Sequence, residues 1–213
     1  MTDIDKATIL SWLKAERLSV ADLLDDLSDT EWETRSLCPE WTIGQVAAHI
    51  TTSTRDTLFG TIRDVIKARG SWDRMNATVA IERAAKFSRT ELIEQIRETA
   101  GSARRAPGAA VIDPLVDMLV HGQDIARPLG RARTMPMPQT VAALAHVVKS
   151  PFYGARKRFR DIKLVTTDAD WTSGTGEAEI RGSAGDLLLI ATGRTAGLAG
   201  ITGSGAERVA AAL

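Results

Sequence analysis

DPLVDMLVHGQDIARPLG, residues Asp113 to Gly130, reads as one self-contained helix. Asp113 before Pro114 is an opening, since the carboxylate can cap free N–H groups and proline fits the first turn. Pro128 and Gly130 close the segment. Between them Asp117 and His121 stand four residues apart, so a helix puts both on one face, one turn from each other. Their neighbours Leu115, Val116, Met118, Leu119 and Val120 should be buried, and a carboxylate among them needs a partner because burying it uncompensated is costly. A carboxylate and an imidazole at this spacing can hold one metal ion together. The plainer alternative pairs Asp117 with Arg97 or Arg127.

Towards the N-terminus, helical spacing of Ile4, Ile9, Trp12, Leu13, Leu18, Val20, Leu23, Leu24 and Leu27 predicts a first helix over Asp3 to Leu27. Polar residues from Ser28 to Pro39 read as a loop. Thr42 with Gln45 forms a capping box, which starts a second helix running to about Lys67, with Gly70 beyond its end. A short helical piece is expected over Ala77 to Lys86. Ser88 with Glu91 makes a second capping box, opening a helix with Leu92, Ile93 and Ile96 that Pro107 and Gly108 stop. With the Asp113 helix this gives four main helices, and connections of this length suit an antiparallel four-helix bundle.

Beyond the Asp113 helix, Arg131 to Pro138 is loop-like and Gln139 to Val148 is helical. The character changes after Pro151. IKLVTT (Ile162 to Thr167) is rich in β-branched residues and Glu177 to Arg181 alternates, so two or three strands are expected, with turns at Gly174, Gly176 and Gly182. Ser183 and Asp186 can open a helix over Leu187 to Ile190 that Gly193 stops, and a last turn or two follows Gly203. The fold class is α+β, a helix bundle over residues 1–149 and a small α+β domain over 150–213.

Composition narrows the function. The 213 residues are 44% hydrophobic and 25% charged, with 27 basic and 27 acidic residues. That balance argues against nucleic acid or an anionic membrane as partner. Cys38 is the single cysteine, which excludes an internal disulfide and a thiolate-built zinc knuckle. MTDIDKATIL does not read as a targeting peptide, and no apolar run is long enough to span a bilayer, so a cytoplasmic enzyme or binding protein is expected.

Three histidines are available for chemistry: His49, His121 and His146. His49 lies seven residues after Thr42, roughly 10 Å along its helix at the standard rise, which places it in the bundle interior. His49 with Asp117 and His121 would form a site of two imidazoles and one carboxylate, with positions left open for water or substrate. Equally, a His on an apolar face can be a satisfied core residue. His146 reads as an ordinary helix residue. Asp56 and Asp124 can orient a ligating imidazole, although a solvated surface carboxylate is the simpler expectation for both. Cys38, before Pro39 and without a neighbouring cation, is expected to pack under the bundle end rather than act as a nucleophile. Arg156, Lys157, Arg158 and Arg160 read most simply as a solvated edge at the domain junction, with contact to an anionic substrate as the alternative.

SLCPEWTIGQVAAHI (Ser36 to Ile50) and DMLVHGQDIARPLG (Asp117 to Gly130) resemble the two motifs of the DinB-like, mycothiol-dependent maleylpyruvate isomerase family. The stretch from PFYGARKRFR onwards resembles the small domain, related to sterol-carrier proteins, that follows the bundle there. The resemblance implies a divalent metal, usually zinc, with His49, Asp117 and His121 as ligands, and mycothiol as cosubstrate attacking a small electrophile. Arg194, in TGR, falls where the resemblance puts an arginine facing the cleft, so it is expected to bind an anionic group, with an ordinary helix-end arginine as the alternative. Two departures are visible: Asp117 stands where the isomerase has the longer Glu, and the C-terminal domain looks abbreviated. A metal-dependent hydrolase acting without thiol, or a non-enzymatic small-molecule binder, would use the same bundle. The chain is expected to work as a monomer or homodimer.

Overall fold

The computed structural model describes residues 4–39, 41–55, 72–106 and 108–213. Their contacts divide the chain into two units, Met1–Arg133 and Thr134–Leu213.

The first unit is helical. Helix α1 (Lys6–Asp25) starts at Asp5, whose carboxylate accepts from the Thr8 N–H at 3.0 Å. A short α2 (Asp29–Trp32) follows, within the Ser28 to Pro39 stretch expected as loop. It is opened by a third capping box, Ser28 with Glu31. Helix α3 (Ile43–Arg55) opens at the expected box, with Thr42 N–H donating to Gln45 Oε1 at 2.9 Å and Gln45 N–H to Thr42 Oγ1 at 3.3 Å. Its expected continuation to Lys67 lies outside the described residues, as does Pro107. Then come α4 (Trp72–Lys86), α5 (Arg89–Glu98) behind the Ser88–Glu91 box, and α6 (Asp113–Ala126).

Four of these make the bundle. Helix α1 packs on α5 and α6, α3 packs on the same two, and α4 lies against α3. Between them sit Leu13, Val20, Leu24, Ile43, Val46, Ala47, Ile50, Leu92, Ile96, Met118 and Ile125. The five apolar residues from Leu115 to Val120 are buried as their pattern requires.

The opening of α6 differs from expectation. Asp113 does not cap the helix but forms part of it, and its carboxylate accepts from the Ala110 N–H at 2.6 Å in the turn before. Proline within the first turn removes one donor that would need a cap. The far end behaves as read: Arg127–Leu129 tightens to a 3-10 turn and Gly130 takes φ 64°, a left-handed conformation that glycine adopts without strain.

In the second unit, α7 (Met137–Val147) precedes a short α8 (Ala155–Arg158), then β1 (Ile162–Thr166), β2 (Thr172–Ser173), β3 (Ala178–Gly182), α9 (Ala184–Ala191), β4 (Ile201–Thr202) and α10 (Ala206–Ala210). The four strands form one sheet in the order β2-β1-β3-β4, with β1 and β3 parallel and both edges antiparallel. The edge strands are two residues each, too short to show alternation in sequence. Helix α9, opened by Ser183 accepting from Asp186 N–H at 3.0 Å, packs against α7 and β1. That packing groups α7 with the second unit, so the contact division falls one helix earlier than the boundary expected near Ser150. Among the described residues no helix is long and apolar enough to cross a membrane.

Thr42→Ala removes the side-chain half of the box that starts α3. A loss of about 1 kcal/mol is expected, read as a lower urea midpoint with an unchanged slope.

Candidate metal centre

The site is assembled by α3, α6 and the loop between α2 and α3. In α3, Ile43, Val46, Ala47 and Ile50 fix the buried face, and His49 lies half-buried beside it. The loop is tied at both ends. Thr34 O accepts from Ile43 N–H at 2.9 Å, Ser36 N–H donates to Trp41 O at 2.9 Å, and Leu37 N–H reaches across to Asp124 O of α6 at 3.1 Å. Ser36 Oγ also takes the Cys38 N–H at 3.1 Å. Cys38 and Trp41 are thereby held against the two helices. The Trp41 ring packs on His49 with centroids 5.0 Å apart.

One ligand atom from each of His49, Asp117 and His121 lies within 4.8 Å of the others. His121 Nε2 is 3.2 Å from Asp117 Oδ1, and the rings of His49 and His121 meet edge to face at 5.1 Å. A tetrahedral zinc with ligand bonds of ~2.0 Å needs ligand atoms roughly 3.3 Å apart. Two imidazoles and a carboxylate in this arrangement fit a divalent cation. Asp117 keeps 35% of its side chain exposed while His121 is 6% exposed, so the pair is open on the Asp117 side.

Behind His121 lies a second group, which departs from the expectation of a solvated surface carboxylate. Asp124 is not a surface carboxylate; it is 0% exposed and sits 2.9 Å from His121 Nδ1. Cys38 Sγ donates to the same Asp124 oxygen at 3.1 Å and lies 3.8 Å from Nδ1. Cys38 is buried as expected, but against the site. An ionised carboxylate only accepts, so the Nδ1 proton points at Asp124 and Nε2 turns towards Asp117 and His49. Burial opposes charge on His121, yet Asp117, joined by Asp124 and Cys38, outweighs it and holds the imidazole pKa well above its ordinary value.

Arg17 of α1 is a further charged neighbour, coupled to the Asp117 charge. It is 2% exposed, and its Nη1 donates to the carbonyls of Thr99, Ala100 and Ser102 at 3.1, 3.2 and 2.7 Å. Burial lowers its pKa and the Asp117 charge works the other way. Of the two arginines expected as alternatives for Asp117, Arg97 pairs with Asp22 and Asp25, and Arg127 Nε donates to Gln123 Oε1 at 3.0 Å. Next to His121, Gly122 leaves room for Arg133, which runs on to Glu16 at 2.9 Å and ties α1 to α6; a Cβ at Gly122 would lie 2.5 Å from Arg133 Nε.

The remaining candidates sit apart from this cluster in sequence and in element. Arg194 follows α9, with Nη1 donating to Thr192 O at 2.8 Å. His146 ends α7 beside Tyr153. Arg156, Lys157 and Arg160 are exposed, while Arg158 is half-buried and donates to Ala191 O at 2.9 Å. Asp56 lies outside the described residues. For Asp124, the signal was its place three residues after His121, on the same side of the helix. For Cys38 and Arg17 no local pattern carried the information.

The model of the mycothiol maleylpyruvate isomerase N-terminal domain matches residues 13–135, which include all three candidate ligands. Two solved structures share the fold. A crystal structure of mycothiol-dependent maleylpyruvate isomerase aligns with TM-score 0.65 at 14% identity, covering 95% of this chain and 94% of that one. The structure of a histidine-to-alanine mutant of mycothiol-dependent maleylpyruvate isomerase aligns with TM-score 0.59 at 16% identity over the same shares. No curated protein matches the sequence.

The raised His121 pKa has a consequence for metal-free protein. The imidazolium contributes its full stability below the unfolded-state value of 6.5 and loses it as pH rises through the folded-state value. The unfolding temperature of metal-stripped protein is expected to fall above pH 6.5. Thermal scans across neutral to alkaline pH should show that slope flattened in His121→Gln.

Proposed function

This chain belongs to the mycothiol maleylpyruvate isomerase N-terminal domain family, and from that premise we propose that it is a metal-dependent enzyme using mycothiol against a small electrophile, as an isomerase or S-transferase. The observation that carries the reading is the convergence of His49, Asp117 and His121 within 4.8 Å. Two neutral imidazoles and one carboxylate supply three ligands and leave the fourth position of a tetrahedral ion free, the pattern of catalytic rather than structural zinc. The chemistry supplied by a divalent cation there is thiol activation, because a thiol is a weak nucleophile until the thiolate predominates at neutral pH.

The protein's own residues set the conditions for this. His121 is fixed in orientation by Asp124, and Trp41 covers one side of His49. Asp117, with 35% of its side chain exposed, marks the side from which a thiol and an electrophile reach the centre. The compact Asp117 side chain keeps that centre close to α6. Arg194 is our proposed contact for an anionic group of the substrate, supported by its position in the TGR segment alone.

Elemental analysis should find one divalent metal per chain in the wild type and loss of that metal in His49→Ala. Thiol transfer or isomerisation should require added mycothiol and disappear together with the metal. Full metal retention by His49→Ala would remove the ligand set, and turnover without thiol would point to hydrolysis.

A further inference from the structure

We propose that Asp124 is a positioning residue for the metal centre and that Cys38, the chain's single cysteine, serves as the second donor that holds the Asp124 carboxylate in place. This rests on the metal reading of His49, Asp117 and His121.

Three observations carry it. Asp124 is fully buried, and a buried carboxylate persists only where donors compensate it. Two donors converge on its Oδ2, His121 Nδ1 at 2.9 Å and Cys38 Sγ at 3.1 Å. The carboxylate in turn determines which imidazole nitrogen faces outward. With Nδ1–H given to Asp124, Nε2 presents a lone pair 3.2 Å from Asp117 Oδ1. Two acceptors at that separation repel each other unless a proton or a cation lies between them.

Cys38, His121 and Asp124 also have ligand atoms close enough together to suggest a second metal group. A thiolate ligand at ~2.3 Å from zinc would stand roughly 3.5 Å from a ligand oxygen, whereas Cys38 Sγ lies 3.1 Å and His121 Nδ1 2.9 Å from the Asp124 oxygen, hydrogen-bond separations around a carboxylate that is fully buried. Cys38 is therefore a donor in the support of the site, not a ligand and not the attacking thiol. Its position is set by backbone: Cys38 N–H on Ser36 Oγ, and Leu37 N–H on Asp124 O. The loop that carries Cys38 is thus clamped to the same residue its thiol supports.

The test is Zn2+ affinity by chelator competition, together with the 15N spectrum of His121, in wild type, Asp124→Asn, Cys38→Ala and Cys38→Ser. An amide at position 124 can turn its N–H2 towards Nδ1 and reverse the tautomer. Asp124→Asn should weaken Zn2+ binding by about 10–100-fold and abolish a slowly exchanging Nδ1–H signal of His121. Cys38→Ala should weaken binding by about 2–10-fold, the size of one hydrogen bond, and Cys38→Ser should restore it. A folded Asp124→Asn with wild-type affinity, or wild-type His121 protonated on Nε2 when zinc-loaded, would overturn the proposal. If Asp124→Asn does not fold, the serine rescue and the wild-type Nδ1–H signal decide. If wild type binds no Zn2+, the ligand assignment and the positioning role fall together; Zn2+ binding by wild type that is unchanged in Asp124→Asn overturns the positioning role alone.

Discussion

His121 is held between two carboxylates on its own helix, Asp117 four residues before it and Asp124 three residues after it. One oxygen meets Nε2 and the other meets Nδ1, so both ring nitrogens are spoken for inside a nearly closed environment. Such an arrangement needs a rigid helix with little freedom at either end. Pro114 in the first turn and the left-handed Gly130 beyond the last supply sharp limits, and Arg133 crossing over Gly122 locks α6 to α1 through Glu16. The apolar residues that flank the motif are the anchors that keep the ring from turning.

The second imidazole arrives by a different route. His49 stands on α3, whose start is fixed by the Thr42–Gln45 box and whose approach is fixed by the loop from Arg35 to Trp41. The loop is more than a connection. It brings Trp41 to His49 and Cys38 to Asp124, so one short segment touches both halves of the centre. Interactions across more than 80 residues of sequence thereby depend on a few backbone hydrogen bonds between residues 34 and 43.

Much of this was legible from the chain alone where the signal is local. Capping boxes gave the starts of α3 and α5, apolar spacing gave the buried faces, and the i, i+4 relation put Asp117 beside His121. The convergence of His49 with that pair followed from assuming a bundle. What local patterns did not carry was burial of a charge: Asp124 looks like a surface residue because nothing in DMLVHGQDIARPLG says that a thiol from residue 38 lies over it. Asp113 departs from its expected capping role for a related reason, since the turn from Ala110 claims its carboxylate before the helix can. The two-residue edge strands and α2 are too short for periodicity to register, and α7 joins the second unit through packing on α9 that no linker composition announces.

The central claim is that two imidazoles and one carboxylate share one cation. Anomalous diffraction at the zinc edge from crystals grown with Zn2+ tests it most directly. A single strong peak is expected at ~2.0–2.2 Å from nitrogens of His49 and His121 and an oxygen of Asp117. Absence of a peak there, or a peak bonded instead to Cys38 and Asp124, would contradict the account.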